Sequence, residues 1–482
     1  MRRYGMLCLL LALLLVLPLA VSCSKQGEKP NPNNPAESIT QGDGTETEPQ
    51  PGEEDREPDI RFDTDGVPAV FNLAVRQGRY HYLYCDDANT SDTVQYSVFQ
   101  RNSAICDKYG VDIRLVEIAD GNAGAEWVTK INAAGTGDMD LLCWDYWWAL
   151  EQQGVFADLR TLEELDLEKS WYYQGWNDNV TINGITYSCV GDAALEVLEN
   201  LEVLFFNKSM ASANELDLYA TVDDGDWTLE EMMRINSLMA QNLDDDDTSN
   251  DVYGALYDVH SLRSGLFAAG LKIVTVSQEN GAIAVTLNTQ NNINLCDKFS
   301  EMLNSAEVKY EKTTARVTSL KPFINGQTFF LASCLYRGGT DLKGSDLDYG
   351  IITAPKYSSE DPYVSASYGV SVFSIPKFCT DSTMSAVILD AMNRRSNDTI
   401  VQAFYENVIK GKVADSPDDA RMIDNARDWL YADFAFVSES DNFDILMKIQ
   451  TAVIRNESLA TVIGGYVETA RNQLEALIEI YR

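Results

Sequence analysis

Apolar and polar positions alternate at Phe71, Leu73 and Val75, the two-residue period of a half-buried strand. A stretch that suits a helix follows over residues 93–109, and alternation returns at Val111, Ile113 and Leu115. Residues 125–134 again suit a helix. Asp140-Leu141-Leu142-Cys143 is a short apolar run between polar segments, as in a strand buried on both faces. Strand, helix, strand, helix, strand is the order of parallel βαβ units, so the pattern predicts an α/β domain. Further on, Thr228-Leu229-Glu230-Glu231 has the spacing of a capping box, and Leu229, Met232, Met233 and Met239 follow at helical intervals. Val467, Ala470, Leu474, Leu477, Ile478 and Tyr481 make a helical apolar stripe that core packing explains. No repeat with a period of about 20–50 residues is found.

The N-terminus follows a different rule. Arg2 and Arg3 precede an apolar run from Met6 to about Ala20, shorter than the roughly 20 residues of a membrane span. Leu19-Ala20-Val21-Ser22 then leads into Cys23, the layout of a secretory signal. The cysteine after Ser22 resembles that of a bacterial lipobox, with Ala20 where Leu is more usual. Cys23 is therefore expected to carry lipid and to anchor the mature chain to the extracytoplasmic face of a membrane. Residues 23–66 are rich in Pro, Glu, Asp, Asn and Gly, a composition that buries almost nothing and is expected to form a disordered acidic tether. A coil of about 40 residues reaches roughly 35 Å.

Residues 67–482 have a globular composition and exceed the roughly 250–300 residues that one core supports, so two domains are expected. The formal net charge of −37 argues against nucleic acid, which demands clustered Lys and Arg. Of nine cysteines, Cys8 leaves with the signal and Cys23 is the lipid site. Cys85, Cys106, Cys143, Cys189, Cys296, Cys334 and Cys379 remain, a scattered odd set with no C-x-x-C, unlike a disulfide framework or a zinc site. The acidic run Asp244 to Asp247 lacks the spacing and central glycine of a calcium loop and suits a solvated loop.

A search for chemistry returns little. His81 and His260, the two histidines, lie outside any H-E-x-x-H pattern. G-x-S-x-G and the phosphate-cradling G-x-x-x-x-G-K-[ST] are absent. A glycosidase carboxylate pair has no fixed spacing, so 74 Asp plus Glu leave a surface glycoside hydrolase open as an alternative. Neither a metal nor a cofactor is expected. Trp144-Asp145-Tyr146-Trp147-Trp148 follows the buried run directly, where ligands of open α/β sheets bind. Aromatic faces suit the C–H face of a sugar, and Asp145 suits two of its hydroxyls.

Several segments, in order, resemble the family 1 extracellular solute-binding proteins of ABC importers, the group that includes maltose-binding protein. They are Asp138-Met139-Asp140-Leu141-Leu142 with Gly154-Val155-Phe156-Ala157-Asp158-Leu159, then Asn183-Gly184-Ile185-Thr186-Tyr187 with Leu204-Phe205-Phe206-Asn207-Lys208. Asp226-Trp227-Thr228-Leu229, Phe323-Ile324-Asn325-Gly326, Asp348-Tyr349-Gly350 through Pro355-Lys356, and Tyr368-Gly369-Val370 through Pro376 follow. The tail after residue 400 resembles clostridial-type members. Ser188-Cys189-Val190-Gly191-Asp192 departs from the family, which commonly has Pro there, and an insertion separates it from Phe206-Asn207.

The resemblance implies a type II periplasmic-binding-protein-like α/β fold, two lobes each with a mixed sheet flanked by helices, joined by a hinge of two or three crossings. The expected boundaries are a signal at 1–22, the linker at 23–66, lobe 1 from 67–190 with 330–372, and lobe 2 from 191–329 with 373–482. It places cleft residues at Trp144, Asp145, Tyr146 and Trp147, at Asp86 and Asp87, at Gly191 and Asp192, at Tyr257 and Asp258, at Tyr336 and Arg337, and at Tyr368. Turn and cap roles for Asp86, Asp87 and Asp192, and core packing for Tyr257 and Tyr368, are the competing readings. The function implied is capture of a small polar ligand, a mono- or oligosaccharide, by a monomeric receptor without catalysis, for the membrane subunits of an ABC importer. A non-transport adhesin or sensor domain is a further alternative.

Overall fold

β1 (Ala69–Arg76), β2 (Val111–Ile118) and β3 (Leu141–Asp145) form a parallel core, with β1 between the other two. β1 is covered on both faces: Phe71, Leu73, Ala74 and Val75 are all buried, which is why its apolar run thickens toward the end. The intervening helix Thr93–Tyr109 starts at Asp92, whose side chain accepts from Gln95 N–H, and stops at Gly110 in the left-handed region. A computed structural model describes residues 57–481, without 152, 244–249, 313–319, 343, 405–416 and 441. Cys23, the linker to residue 56 and the acidic run Asp244–Asp247 lie outside the described residues, but residues 57–66, expected as the end of the disordered linker, pack on lobe 1, because Glu57 pairs with Lys108 and Arg395 and Phe62 N–H donates to Tyr109 O at 2.8 Å. None of the described helices is long and apolar enough to cross a membrane.

The second sheet begins with β4 (Glu202–Asn207) and continues with β5 (Tyr253–Asp258). A separate hairpin of β6 (Val274–Val276) and β7 (Ile283–Val285) follows. β8 (Val308–Glu311), β9 (Thr328–Cys334) and β10 (Tyr349–Ile352) complete the order β10-β4-β9-β5-β8. β5, β8 and β9 run parallel, while β4 is antiparallel to both β9 and β10. β11 (Ser371–Ser374) then returns to the first sheet, antiparallel to β3, giving β11-β3-β1-β2. Each sheet is mixed and flanked by helices, the two-lobed α/β architecture expected.

The lobe boundaries differ from expectation. Residues 330–372 were assigned to lobe 1, yet β9 and β10 pair with β4 in the second sheet. The chain re-enters lobe 1 near residue 370, because Phe373 is wedged between Cys143 and the bridging Cys189. Helix Ser382–Asp398 also packs on lobe 1, where Arg101 donates to Ser396 Oγ at 2.9 Å. Lobe 2 recovers the chain from helix Pro417–Asp428 onward, which packs on β10.

Helix details follow the sequence closely. Asn122–Ala134 starts three residues before the expected 125. Thr228 caps Leu229–Met239 through Glu231 N–H, but Glu231 turns to grip Arg234 at 2.7 and 2.8 Å. Val467, Ala470 and Leu474 are buried along Leu459–Leu477. The seven cysteines from Cys85 to Cys379 are free thiols, with Cys143, Cys189 and Cys296 buried.

Two buried carboxylates tie distant segments. Asp140 accepts from Asn72 N–H at 2.8 Å and from Thr380 N–H at 2.9 Å. Asp419, fully buried, accepts from Ile351 N–H at 2.7 Å and Lys208 Nζ at 2.8 Å, clamping the C-terminal helices onto the β10 edge. Asp419→Ala strands these donors and the Tyr219 hydroxyl, which also donates to Asp419, and is expected to cost about 3–5 kcal/mol in urea unfolding. A loss below about 1 kcal/mol would show that the clamp does not hold this edge.

Candidate ligand-binding site

The chain links the lobes through strands that satisfy one another. Leu201 and Ser367 form an antiparallel bridge, and Glu202 N–H donates to Ala366 O at 2.9 Å. Ser365 bridges Leu430 in parallel, and Ala432 N–H reaches Gly175 O of lobe 1 at 3.2 Å. On one side of this hinge lie the strand ends. In lobe 1 these are Arg76 and Asp145, the last residues of β1 and β3; in lobe 2 they are Asp258, Glu311 and Cys334, with Glu202 opening the antiparallel β4.

The arginines near these ends are each paired with a carboxylate. Arg76 holds both Asp145, in a short contact, and Asp120 at 2.8 Å. Burial lifts the Asp145 carboxyl to about 6, with Arg76 pulling it down and Glu196 pushing it up. Arg79 pairs with Glu196 at 3.2 Å, and Ser371 donates to the other Glu196 oxygen. Tyr82 donates to Glu199 in a short contact, and burial followed by that carboxylate raises its phenol. Glu196, Glu199 and Glu202 recur every third residue and are all at least nine-tenths buried.

Across the junction, Arg263 holds Glu439, Gln450 at 2.7 Å and the Tyr368 hydroxyl at 3.3 Å. Burial raises the Glu439 carboxyl and Arg263 opposes the shift. The His260 and Tyr368 rings lie 5.5 Å apart. Arg337 pairs with Asp341 at 2.6 Å. Glu202, Asp258, His260, Arg337 and Tyr368 enclose a notch of about 20 Å³ at the floor, room for a water.

The expected residues divide into two groups. Asp258, Arg337 and Tyr368 meet at the floor notch. Tyr336 is 41% exposed beside them. Asp145 reaches the cleft end of β3 but is 3% exposed beneath Arg76, so it positions the guanidinium. Trp144 is fully buried and stacks on the partly exposed Trp148, with centroids 6.1 Å apart at 14°. Of Trp147 only the backbone is described, in helix Tyr146–Glu151.

Other expected cleft residues lie elsewhere. Tyr146 packs edge-on to Trp176 at 5.2 Å and Phe434 at 6.4 Å, as core. Tyr257 is buried against Phe299 at 5.8 Å, because the side chain enters the lobe 2 core. Gly191 is required by packing: a Cβ there would lie 2.3 Å from Asn393 Oδ1. Asp192 is 1% exposed and accepts from Tyr173, Asn397 and Arg427 at 2.8, 2.6 and 2.8 Å. It joins the lobe 1 segments to helix Pro417–Asp428 and is closed to ligand. Asp86 and Asp87 are exposed, and Asp87 Oδ1 takes Asn89 N–H at 2.9 Å in a turn.

Sequence reading missed Arg76, Arg79, Tyr82, Glu196, Glu199, Arg263 and Glu439. The three-residue recurrence of glutamates at 196, 199 and 202 and the strand-ending Arg76 were visible signals; Arg263 and Glu439 are joined only by folding.

Solved structures share the fold. An ABC substrate-binding protein of Listeria monocytogenes in complex with cycloalternan is 13% identical, with TM-score 0.51 over 86% of this chain and 98% of its own. The cyclic α-maltosyl-1,6-maltose binding protein of Arthrobacter globiformis is 15% identical, with TM-score 0.56 over 85% and 100%. The sugar-binding protein MalE of Xanthomonas citri is 12% identical, with TM-score 0.56 over 86% and 99%. No protein-family model matches the chain, and no curated protein does. At this identity the likeness is one of fold.

The raised Asp145 has a consequence for stability. Its ordinary value is 3.8, so between pH 4 and 6 the folded chain keeps a proton that the unfolded chain has lost. Its contribution to stability therefore falls as pH rises through that window, by about 3 kcal/mol in all. Asp145→Asn is expected to flatten this slope in urea midpoints measured at pH 4.5 and 6.5. An unchanged slope would place the proton elsewhere.

Proposed function

We propose that this chain, which has the two-lobed fold of maltose- and maltodextrin-type solute-binding proteins, captures a mono- or oligosaccharide between its lobes and delivers it to an ABC importer. The observation that carries the reading is the set of arginines around the strand ends, each already paired with a carboxylate within the protein. Arg76, Arg79, Arg263 and Arg337 each hold a carboxylate. A guanidinium carries five donors and a carboxylate about four lone-pair sites, so each pair retains hydrogen-bonding capacity while its net field is small. Such a surface suits a neutral polyhydroxylated ligand. The partly exposed Trp148 and the exposed Tyr336 offer ring surface on opposite lobes for its C–H faces.

Binding to both lobes favours the closed form by the ligand's differential affinity for it. The solved structures named above are binding proteins, of cycloalternan, of cyclic α-maltosyl-1,6-maltose and of sugar. Lipid on Cys23 holds the receptor at the extracytoplasmic face, with residues 24–56 as the tether. The reaction class is binding without turnover.

Thermal unfolding against a panel of saccharides, peptides and polyamines tests the reading. A ligand at about 1,000 times its Kd stabilises by about 4 kcal/mol. One saccharide class is expected to raise the midpoint and to be recovered unchanged by mass. Consumption of that sugar would establish a hydrolase instead, and a shift by peptides or polyamines alone would overturn the saccharide assignment. Trp148→Ala and Tyr336→Ala are each expected to weaken the bound saccharide about 10-fold, or about 1.4 kcal/mol, by titration calorimetry. Unchanged affinity in both variants would remove these rings from the site.

A further inference from the structure

We propose that the lobes are joined by a latch on the far side of the hinge from the cleft, in which Asn183 of lobe 1 grips Gly281 and Tyr481 of lobe 2, and that this latch holds the cleft open and sets the ligand affinity. The proposal rests on capture between the lobes and adds to it residues that govern affinity without touching ligand.

On lobe 1 the latch is the turn Ile182–Ile185, closed by its own antiparallel bridge. Its place follows from strand direction. β11 is antiparallel to β3, with Ser371 beside Asp145 at the cleft end and Ser374 beside Leu142. Cys189 in turn pairs antiparallel with Phe373, and the Ser188 hydroxyl meets that of Ser374 at 2.7 Å. The chain before Cys189 therefore lies progressively further from the cleft. Thr186 is anchored there, its N–H donating to Asp158 Oδ1 at 3.0 Å and its carbonyl accepting from Leu159 N–H at 2.8 Å. Asn183 and Gly184 lie beyond it and are exposed.

On lobe 2 the latch is the tip of the β6–β7 hairpin with the short turn Glu479–Tyr481. The hairpin belongs to neither main sheet. Its base is held by Asp433, which accepts from Ile273 and Val274 N–H just after the hinge residue Leu430. Helix Leu459–Leu477 packs on β7 and on helix Gln290–Leu303, which fixes the hairpin to lobe 2. Asn183 N–H donates to Gly281 O at 2.9 Å, and Asn183 Nδ2 donates to Tyr481 O at 3.2 Å. The Tyr187 hydroxyl donates to Ile480 O at 3.4 Å, and its ring lies 5.1 Å from that of Tyr481. Asn183, Gly184 and Gly281 have φ of 53°, 78° and 69°, so the two turns meet backbone to backbone. A Cβ on Gly281 would lie 2.7 Å from Gly184 N and 2.8 Å from Asn183 N.

Closure rotates the lobes about the hinge and brings the strand ends together. Points across the hinge from the cleft separate in the same rotation, so the latch parts as the cleft shuts. Its hydrogen bonds belong to the open form alone, and the apparent affinity is lowered by the fraction of molecules they hold open. Weakening the latch therefore tightens binding, the reverse of what loss of a merely structural contact does.

Asn183→Gly keeps the positive φ and removes the contact to Tyr481, while Gly281→Ala drives a Cβ against Asn183 and Gly184. Each is expected to tighten the saccharide that raises the unfolding midpoint about 3- to 10-fold by titration calorimetry, the scale of one or two net hydrogen bonds. Gly135→Ala, at φ of 60° with nothing within 4 Å of the added Cβ, places the same backbone strain away from the latch and should leave affinity unchanged. Gly281→Trp wedges the latch apart and should lower the radius of gyration in small-angle scattering without any ligand. Unchanged or weaker binding in Asn183→Gly and Gly281→Ala, tighter binding in Gly135→Ala, or an unchanged ligand-free radius in a cooperatively folded Gly281→Trp would each overturn the proposal. A wild-type chain that binds no saccharide would overturn the capture reading instead, and the ligand-free radius still decides the latch.

Discussion

Strands that pass between two lobes have no sheet of their own, yet their backbone groups are buried and must be paired. Here they pair with one another. Leu201 lies against Ser367 and Ser365 lies against Leu430, so a three-stranded ribbon bridges the lobes. This constraint fixes which ends of the two sheets face each other and hence where a ligand meets both lobes. It also brings the turn Glu196–Glu199 and the start of β4 to the floor, which is why three glutamates gather there.

Burying those glutamates is costly unless their charge is met. Arg79 and Ser371 meet Glu196, Tyr82 meets Glu199, and Arg76 meets Asp145 on the neighbouring strand end. The opposite wall repeats the device with Arg263 and Glu439. Electrostatics and function are thereby linked: a wall whose arginines are each held by a carboxylate presents directional donors and acceptors. The chain's large negative charge falls mostly outside this balance and says little about the ligand.

Much of the fold was legible in the chain. Alternation at Phe71, Leu73 and Val75, the helical stretch over residues 93–109 and the C-terminal stripe are local signals, and the structure follows them. The site was only partly legible, because its geometry comes from pairing between remote segments. Trp144 looked like a ligand platform, but Trp148 covers one face, and Tyr146 was drawn into the core by Trp176 and Phe434. Asp192 sits in a hinge-like motif yet is consumed by Arg427, a residue 235 positions away. The misplaced lobe boundary has the same origin: β9, β10 and β11 have similar apolar composition, and strand pairing alone sorts them between sheets.

The central claim is that a saccharide draws two lobes together about the ribbon. Small-angle X-ray scattering with and without the saccharide that raises the unfolding midpoint tests it most directly. The account predicts a smaller radius of gyration at saturation, with the sugar recovered intact. An unchanged scattering profile at saturation would contradict it, because binding would then engage one lobe alone.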